Sequence, residues 1–111
     1  MSSAFMSTRS YELIKQAIEQ KKQLSLQYHG YTRNICPYVL GKNKNGKERA
    51  LALLVRNTPS GPLAGGWECL DLDHVWNVKF AEGAWVAAPS APRPDCDIPN
   101  LELDVEAAAA A

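Results

Sequence analysis

No run of apolar residues in this chain approaches the ~20 needed to cross a bilayer as a helix, so no membrane partner is expected. The opening, MSSAFMSTRS, has no basic start followed by an apolar block, and no secretory leader is expected. Histidine is scarce, and the three cysteines, Cys36, Cys69 and Cys96, are odd in number and far apart. None of them shows Cys-x-x-Cys or His-x-x-x-His spacing, so no metal is expected. A sparse, odd set also argues against a secreted disulfide framework; reduced thiols and a cytoplasmic location are expected. Gly61, Gly65 and Gly66 are not followed by Lys-Ser/Thr, which excludes the phosphate loop that cradles nucleoside triphosphates. No cofactor is expected.

Catalytic signatures are missing too. Cys36 and His74 share no local motif that would pair a nucleophile with a base. Asp71 and Asp73 sit two apart on one strand, where they share a solvent face and would repel when both ionised. A non-enzymatic protein is expected.

What the chain does have is one helix and a series of strand patterns, in 111 residues that leave room for one domain. Leu13, Ile14, Ala17 and Ile18 recur at helical spacing, with Ser10 placed to cap and Lys21 and Lys22 placed for the last turn. Leu24, Leu26 and Tyr28 alternate with polar residues, the period of a strand buried on one side. His29-Gly30 fits a tight turn, and a second strand follows from Tyr31 to Leu40, with Pro37 requiring a bulge or an edge. Asn45-Gly46 marks a second hairpin, and Arg49–Val55 reads as a strand covered on both faces. Asn57–Gly66, with two prolines and three glycines, reads as a long flexible loop. Strands at Trp67–Leu72 and Val75–Phe80 follow, with Leu70, Leu72, His74, Trp76, Val78 and Phe80 on one core-facing parity. Trp85-Val86 supplies a last apolar contact. Leu101, Leu103 and Val105 alternate with acidic residues, as a docked strand or as an acidic peptide lying over a neighbour.

The expected organisation is a flexible N-terminus over 1–9, a helix plus β-barrel domain over 10–86, and a Pro/Ala-rich, acidic tail over 87–111. The expected fold is mainly β with one N-terminal helix, a small curled antiparallel barrel of about five strands.

The sequences AIEQKKQLSLQYHG, TRNICPYVL and WECLDLDHVWNV, in that order around an apolar strand and a Gly-rich stretch, resemble the WYL domain. That family has an Sm-like, SH3-type barrel, usually joined to a winged-helix part. The resemblance covers residues 11 to 80 and rests on Tyr28, the Arg33-to-Pro37 spacing and the Trp67–Asp73 run. Arg49-Ala50-Leu51 stands where the family carries its Trp-Tyr-Leu signature, and His74 stands where an arginine is usual. The resemblance implies a standalone ligand-sensing or regulatory module that binds nucleic acid or a nucleotide-type anion. It assigns that role to Arg33 and His74, with Tyr28 offering an aromatic face.

Local chemistry adds Arg49 and Arg56, which flank the same strand and whose guanidinium forks suit phosphate oxygens. Each candidate has a plainer reading. Arg33 is an anion ligand, a solvated strand residue or a partner for Glu48 or Asp73, and Tyr28 also completes the Leu24–Leu26 core face. The Lys42–Lys47 loop is either a phosphate contact or a solvated hairpin tip. Charge is divided: residues 1–56 carry a net +7 and residues 57–111 a net −7. Such a split marks an anion-binding surface, a self-complementary homo-oligomer or protein interface using barrel edges and the acidic tail, or segments that interleave in one fold.

Overall fold

The structure, a computed structural model, describes residues 8–89 and 92–106. One helix, α1 (Arg9–Gln20), precedes six strands: β1 (Leu24–Tyr28), β2 (Tyr31–Lys42), β3 (Glu48–Thr58), β4 (Gly61–Asp71), β5 (Val75–Phe80) and β6 (Asn100–Asp104). The mainly β, antiparallel class read from the sequence is borne out. Most of the loose start expected over 1–9, and the alanine run after 106, lie outside the described residues.

The helix begins earlier than expected. Thr8, not Ser10, caps it: its backbone is extended and its Oγ1 accepts the Tyr11 N–H at 3.1 Å. The same hydroxyl donates to Glu48 at 2.7 Å, fixing the helix start to the start of β3. Lys21 and Lys22 are not in the last turn. Lys21 turns left-handed (φ 53°) and ends the helix, and the Lys22 N–H returns to the Ala17 carbonyl at 2.9 Å. Tyr11, Ile14, Ala17 and Ile18 form the buried stripe; Tyr11 replaces Leu13, which is only half buried.

The β1–β2 hairpin turns at His29-Gly30 with both φ angles positive (51° and 84°), the geometry a two-residue hairpin needs for its strands to twist together. Along β2 the pairing with β3 slips between Pro37 and Val39, the bulge that proline's missing N–H calls for. The second hairpin closes at Asn43–Lys47, where the Asn43 carboxamide oxygen accepts the N–H groups of Asn45 and Lys47. The stretch expected as a long loop, Asn57–Gly66, is instead the end of a β3–β4 hairpin that turns only at Pro59-Ser60. Its glycines serve the strand. Gly61 takes φ 121° at the turn, and Gly65 lies against Leu54, whose Cβ an added methyl would meet at 3.2 Å beside the register shift at Leu53–Val55.

The strand order is β4-β3-β2-β1-β5, with β6 against the far half of β2's β1-facing edge. Beyond Asp71 a single 3-10 turn, Leu72–His74, carries the chain from β4 to β5. No ladder joins β4 to β5 among the described residues, so the barrel is curled but not closed, and it has six strands. The turn resets the side-chain alternation. Val75 is buried, whereas Trp76 and Phe80, expected in the core, are 64% and 40% exposed.

Ile35 and Cys36 point to opposite faces of β2, and both are fully buried. One face packs on α1. The other is covered by the chain after β5, where Tyr38 meets the rings of Trp67 and Trp85 at 5.1 and 5.0 Å and its hydroxyl donates to the Val86 carbonyl.

The expectation of three reduced thiols is overturned. Cys69 on β4 and Cys96 are disulfide-bonded, and Cys36 is the free, buried thiol. The bond joins positions 27 apart in sequence that only the return of the chain toward β6 brings together. Acidic residues of this last segment meet basic ones: Glu102 pairs with Lys15, and Asp104 with Arg93. Lys15–Glu102 and Lys47–Asp73 join the two halves, so their opposite charges interleave in one body, and β6 is a docked strand.

Candidate anion-binding site

Arg33 and Arg56 come together because β2 and β3 are paired. Asn34 stands opposite Val55, and continuing that register by one residue sets Arg33 level with Arg56. Both line an open concavity of about 310 Å³ with Thr32, Asn34 and Asn57, and no acidic residue is part of its wall. Leu54 and Val55 also line it, and strand alternation puts Leu54 on the face of the arginines and Val55 with Thr32, Asn34 and Asn57 on the other. Arg33 passes its guanidinium over the Tyr31 ring at 5.9 Å, and its Nε is buried with no hydrogen-bond partner among the described residues. Among the described residues neither arginine takes part in an ion pair. Of the acidic partners considered for Arg33, Glu48 holds Thr8 and Asp73 holds Lys47.

The other sequence candidates are not part of this concavity. Arg49 lies seven residues from Arg56 along β3, about 23 Å at strand rise, and its Nε donates to the Cys96 carbonyl at 3.0 Å. It fastens the disulfide-bearing segment to the sheet. Tyr28 is buried, and its hydroxyl accepts the Asp71 N–H at 3.0 Å, which holds the end of β4. His74 stacks on His29 with ring centroids 4.5 Å apart, at the β1–β2 turn. The Lys42–Lys47 tip is solvated, with Lys47 in an exposed pair with Asp73.

Sequence reasoning missed Thr32, Asn34 and Asn57. Isolated polar residues on strands carry no local pattern, and only the pairing of β2 with β3 gathers them around the same concavity. Asn57 is positioned from below: its Nδ2 donates to the Gln23 Oε1 at 2.8 Å, while Gln23 Nε2 returns a bond to Asn57 Oδ1 at 3.3 Å.

Electrostatics elsewhere favour structure over chemistry. Burial pushes the Cys36 thiol up, although the Val86 N–H on its sulfur pulls slightly the other way, so the thiolate is disfavoured. Burial likewise pushes the Tyr38 hydroxyl up to about 12. The hydrogen bond from Tyr11 is the main cause holding the Glu102 carboxyl below its ordinary value. No group of three or more His, Cys, Asp or Glu suited to a metal occurs among the described residues.

Comparisons with family models, with curated proteins and with solved structures find no match for this chain.

Proposed function

We propose that this protein is a non-enzymatic binding module whose Arg33–Arg56 concavity takes a phosphate-bearing ligand of nucleotide or nucleic-acid type. The observation that carries this reading is the pair of arginines set level by the β2–β3 register in one open concavity with no acidic residue in its wall, neither of them in an ion pair among the described residues. Arginine forks bind phosphate oxygens through two parallel hydrogen bonds, and neither guanidinium is committed to a carboxylate among the described residues. Tyr31, 68% exposed beside Arg33, offers a face on which a base can stack. The resemblance to the WYL domain supports the same ligand class and a sensing or regulatory role. Of the residues it implicates, Arg33 is the one in the concavity.

The test is titration with a nucleoside monophosphate and with short single-stranded oligonucleotides at low and high salt. Binding should weaken as salt rises, and Arg33→Ala and Arg56→Ala should each lose about tenfold in affinity, the cost of one charge-assisted contact. Absent or salt-insensitive binding by the parent overturns the reading.

A further inference from the structure

Trp76, expected in the core, stands 64% exposed on β5. Gln27 is its partner across β1, and Thr32 is the partner of Gln27 across β2. Lys79, Ser25 and Asn34 form the adjoining row in the same way. Residues directly opposite each other project from the same face, so both rows share one side of the sheet. A bulge between the rows sets Asn77 left-handed (φ 53°), and its Nδ2 donates to Gln27 Oε1 at 3.1 Å. Ser25, Gln27, Thr32, Asn77 and Lys79 line an open concavity of about 370 Å³, and no acidic residue is part of its wall. Lys79 takes part in no ion pair among the described residues.

This concavity adjoins the arginine one, because Thr32 belongs to both walls. The β2–β3 ladder ends at Asn34–Val55, so the arginine concavity lies past the last pair and receives side chains from both faces. Together the two make one track without acidic residues, running from β3 across β2 and β1 to β5. Arg33 and Arg56 stand at one end, Lys79 and Trp76 at the other. Three strand spacings separate β3 from β5, about 14 Å. One phosphate group cannot meet both ends. Between them the side chains are neutral amides and hydroxyls.

We infer that the ligand of this track is single-stranded nucleic acid rather than a free nucleotide. Its backbone crosses β3, β2, β1 and β5, its phosphates meet the arginines at one end and Lys79 at the other, and a base stacks on the Trp76 ring. Cations at both ends of a neutral polar track suit a repeating anion, and an exposed indole suits the unstacked base that a single strand presents. A duplex keeps its base faces covered and cannot use Trp76. The inference rests on the reading of the arginine concavity as an anion site, and adds to it a second end and a minimum length.

Calorimetric titration of the intact protein with thymidine monophosphate, and with oligothymidylates and oligouridylates of increasing length, tests it at several salt concentrations. Affinity should rise about tenfold or more from the monophosphate to a strand of about four nucleotides. Trp76→Ala should lose about tenfold in strand affinity, and Lys79→Ala should lower the salt slope by about 0.7, the share of one phosphate on a single strand. Neither substitution should alter binding of the monophosphate, whereas Arg33→Ala should weaken both ligands. Both side chains are exposed, so these variants should fold as the parent does. Monophosphate binding with no gain on lengthening overturns the inference and leaves the arginine site standing. So do Trp76 and Lys79 variants that bind the strand as the parent does, or a parent that prefers a duplex. A parent that binds neither monophosphate nor strand overturns both readings.

Discussion

Gln23 is the one fully buried polar side chain among the described residues. Its carboxamide exchanges two hydrogen bonds with Asn57 and donates a third to the Ala84 carbonyl at 2.9 Å, and its own carbonyl accepts the Ala81 N–H. Gly83 fits over this pair because it has no Cβ; a methyl there would overlap the Gln23 amide. The arrangement ties the start of β1, the β3 hairpin and the chain after β5 to one point. Gln23→Leu keeps the apolar volume but leaves the Asn57 amide and the Ala84 carbonyl unpaired. The expected cost is about 2–3 kcal/mol, read as a lower urea midpoint at unchanged slope. In the sequence Gln23 looked like the polar partner of a half-buried strand. Its burial depends on residues 34 and 61 positions away, which no local pattern records.

At the scale of elements, β6 depends on Gly41. The strand crosses β2 so closely that a Cβ on Gly41 would overlap Ile98 Cγ2 and the Asn100 carbonyl oxygen, both of backbone or near-backbone position. Gly41→Ala should therefore lift β6 rather than disturb β1. Amide exchange of Leu101–Asp104 should quicken by an amount equivalent to about 1–3 kcal/mol, with the Leu24–Tyr28 amides unchanged. The alternation of Leu101, Leu103 and Val105 was legible as strand, yet its partner was not. The phase of β5 was misread for a related reason. Period-two reading runs on through Leu72–His74, whereas the 3-10 turn there adds residues that belong to no strand, and Val75 takes the buried place assigned to Trp76.

For the whole molecule the Cys69–Cys96 bond matters most. It joins β4 to the chain that returns over the sheet, alongside the Arg49 bond to the Cys96 carbonyl. Closing a loop between positions 27 apart restricts the unfolded chain, and a stabilisation of about 3 kcal/mol is expected. The Cys69→Ser/Cys96→Ser double variant should unfold at lower urea by that amount. Thiol titration in denaturant without reductant should find one reactive thiol per chain, from Cys36, and three after reduction. Three before reduction would show that the bond does not form. The expectation of reduced cysteines came from their number and spacing, which say nothing about which strands lie side by side.

The chain's local chemistry determined the elements. Gly30 and Asn45-Gly46 set two turns, Pro37 set a bulge, and the alternation of Leu24, Leu26 and Tyr28 set a half-buried strand, because each acts through backbone geometry within a few residues. It also singled out Arg33 and Arg56 as chemistry worth locating. Tertiary structure alone decided that these two arginines share a concavity while Arg49, Tyr28 and His74 brace other parts of the sheet. It alone decided that two cysteines are bonded, that the acidic segment is a sixth strand, and that the barrel stays open between β4 and β5. Register between strands distant in sequence is set by the packing of both faces at once, and no short stretch of residues contains that information.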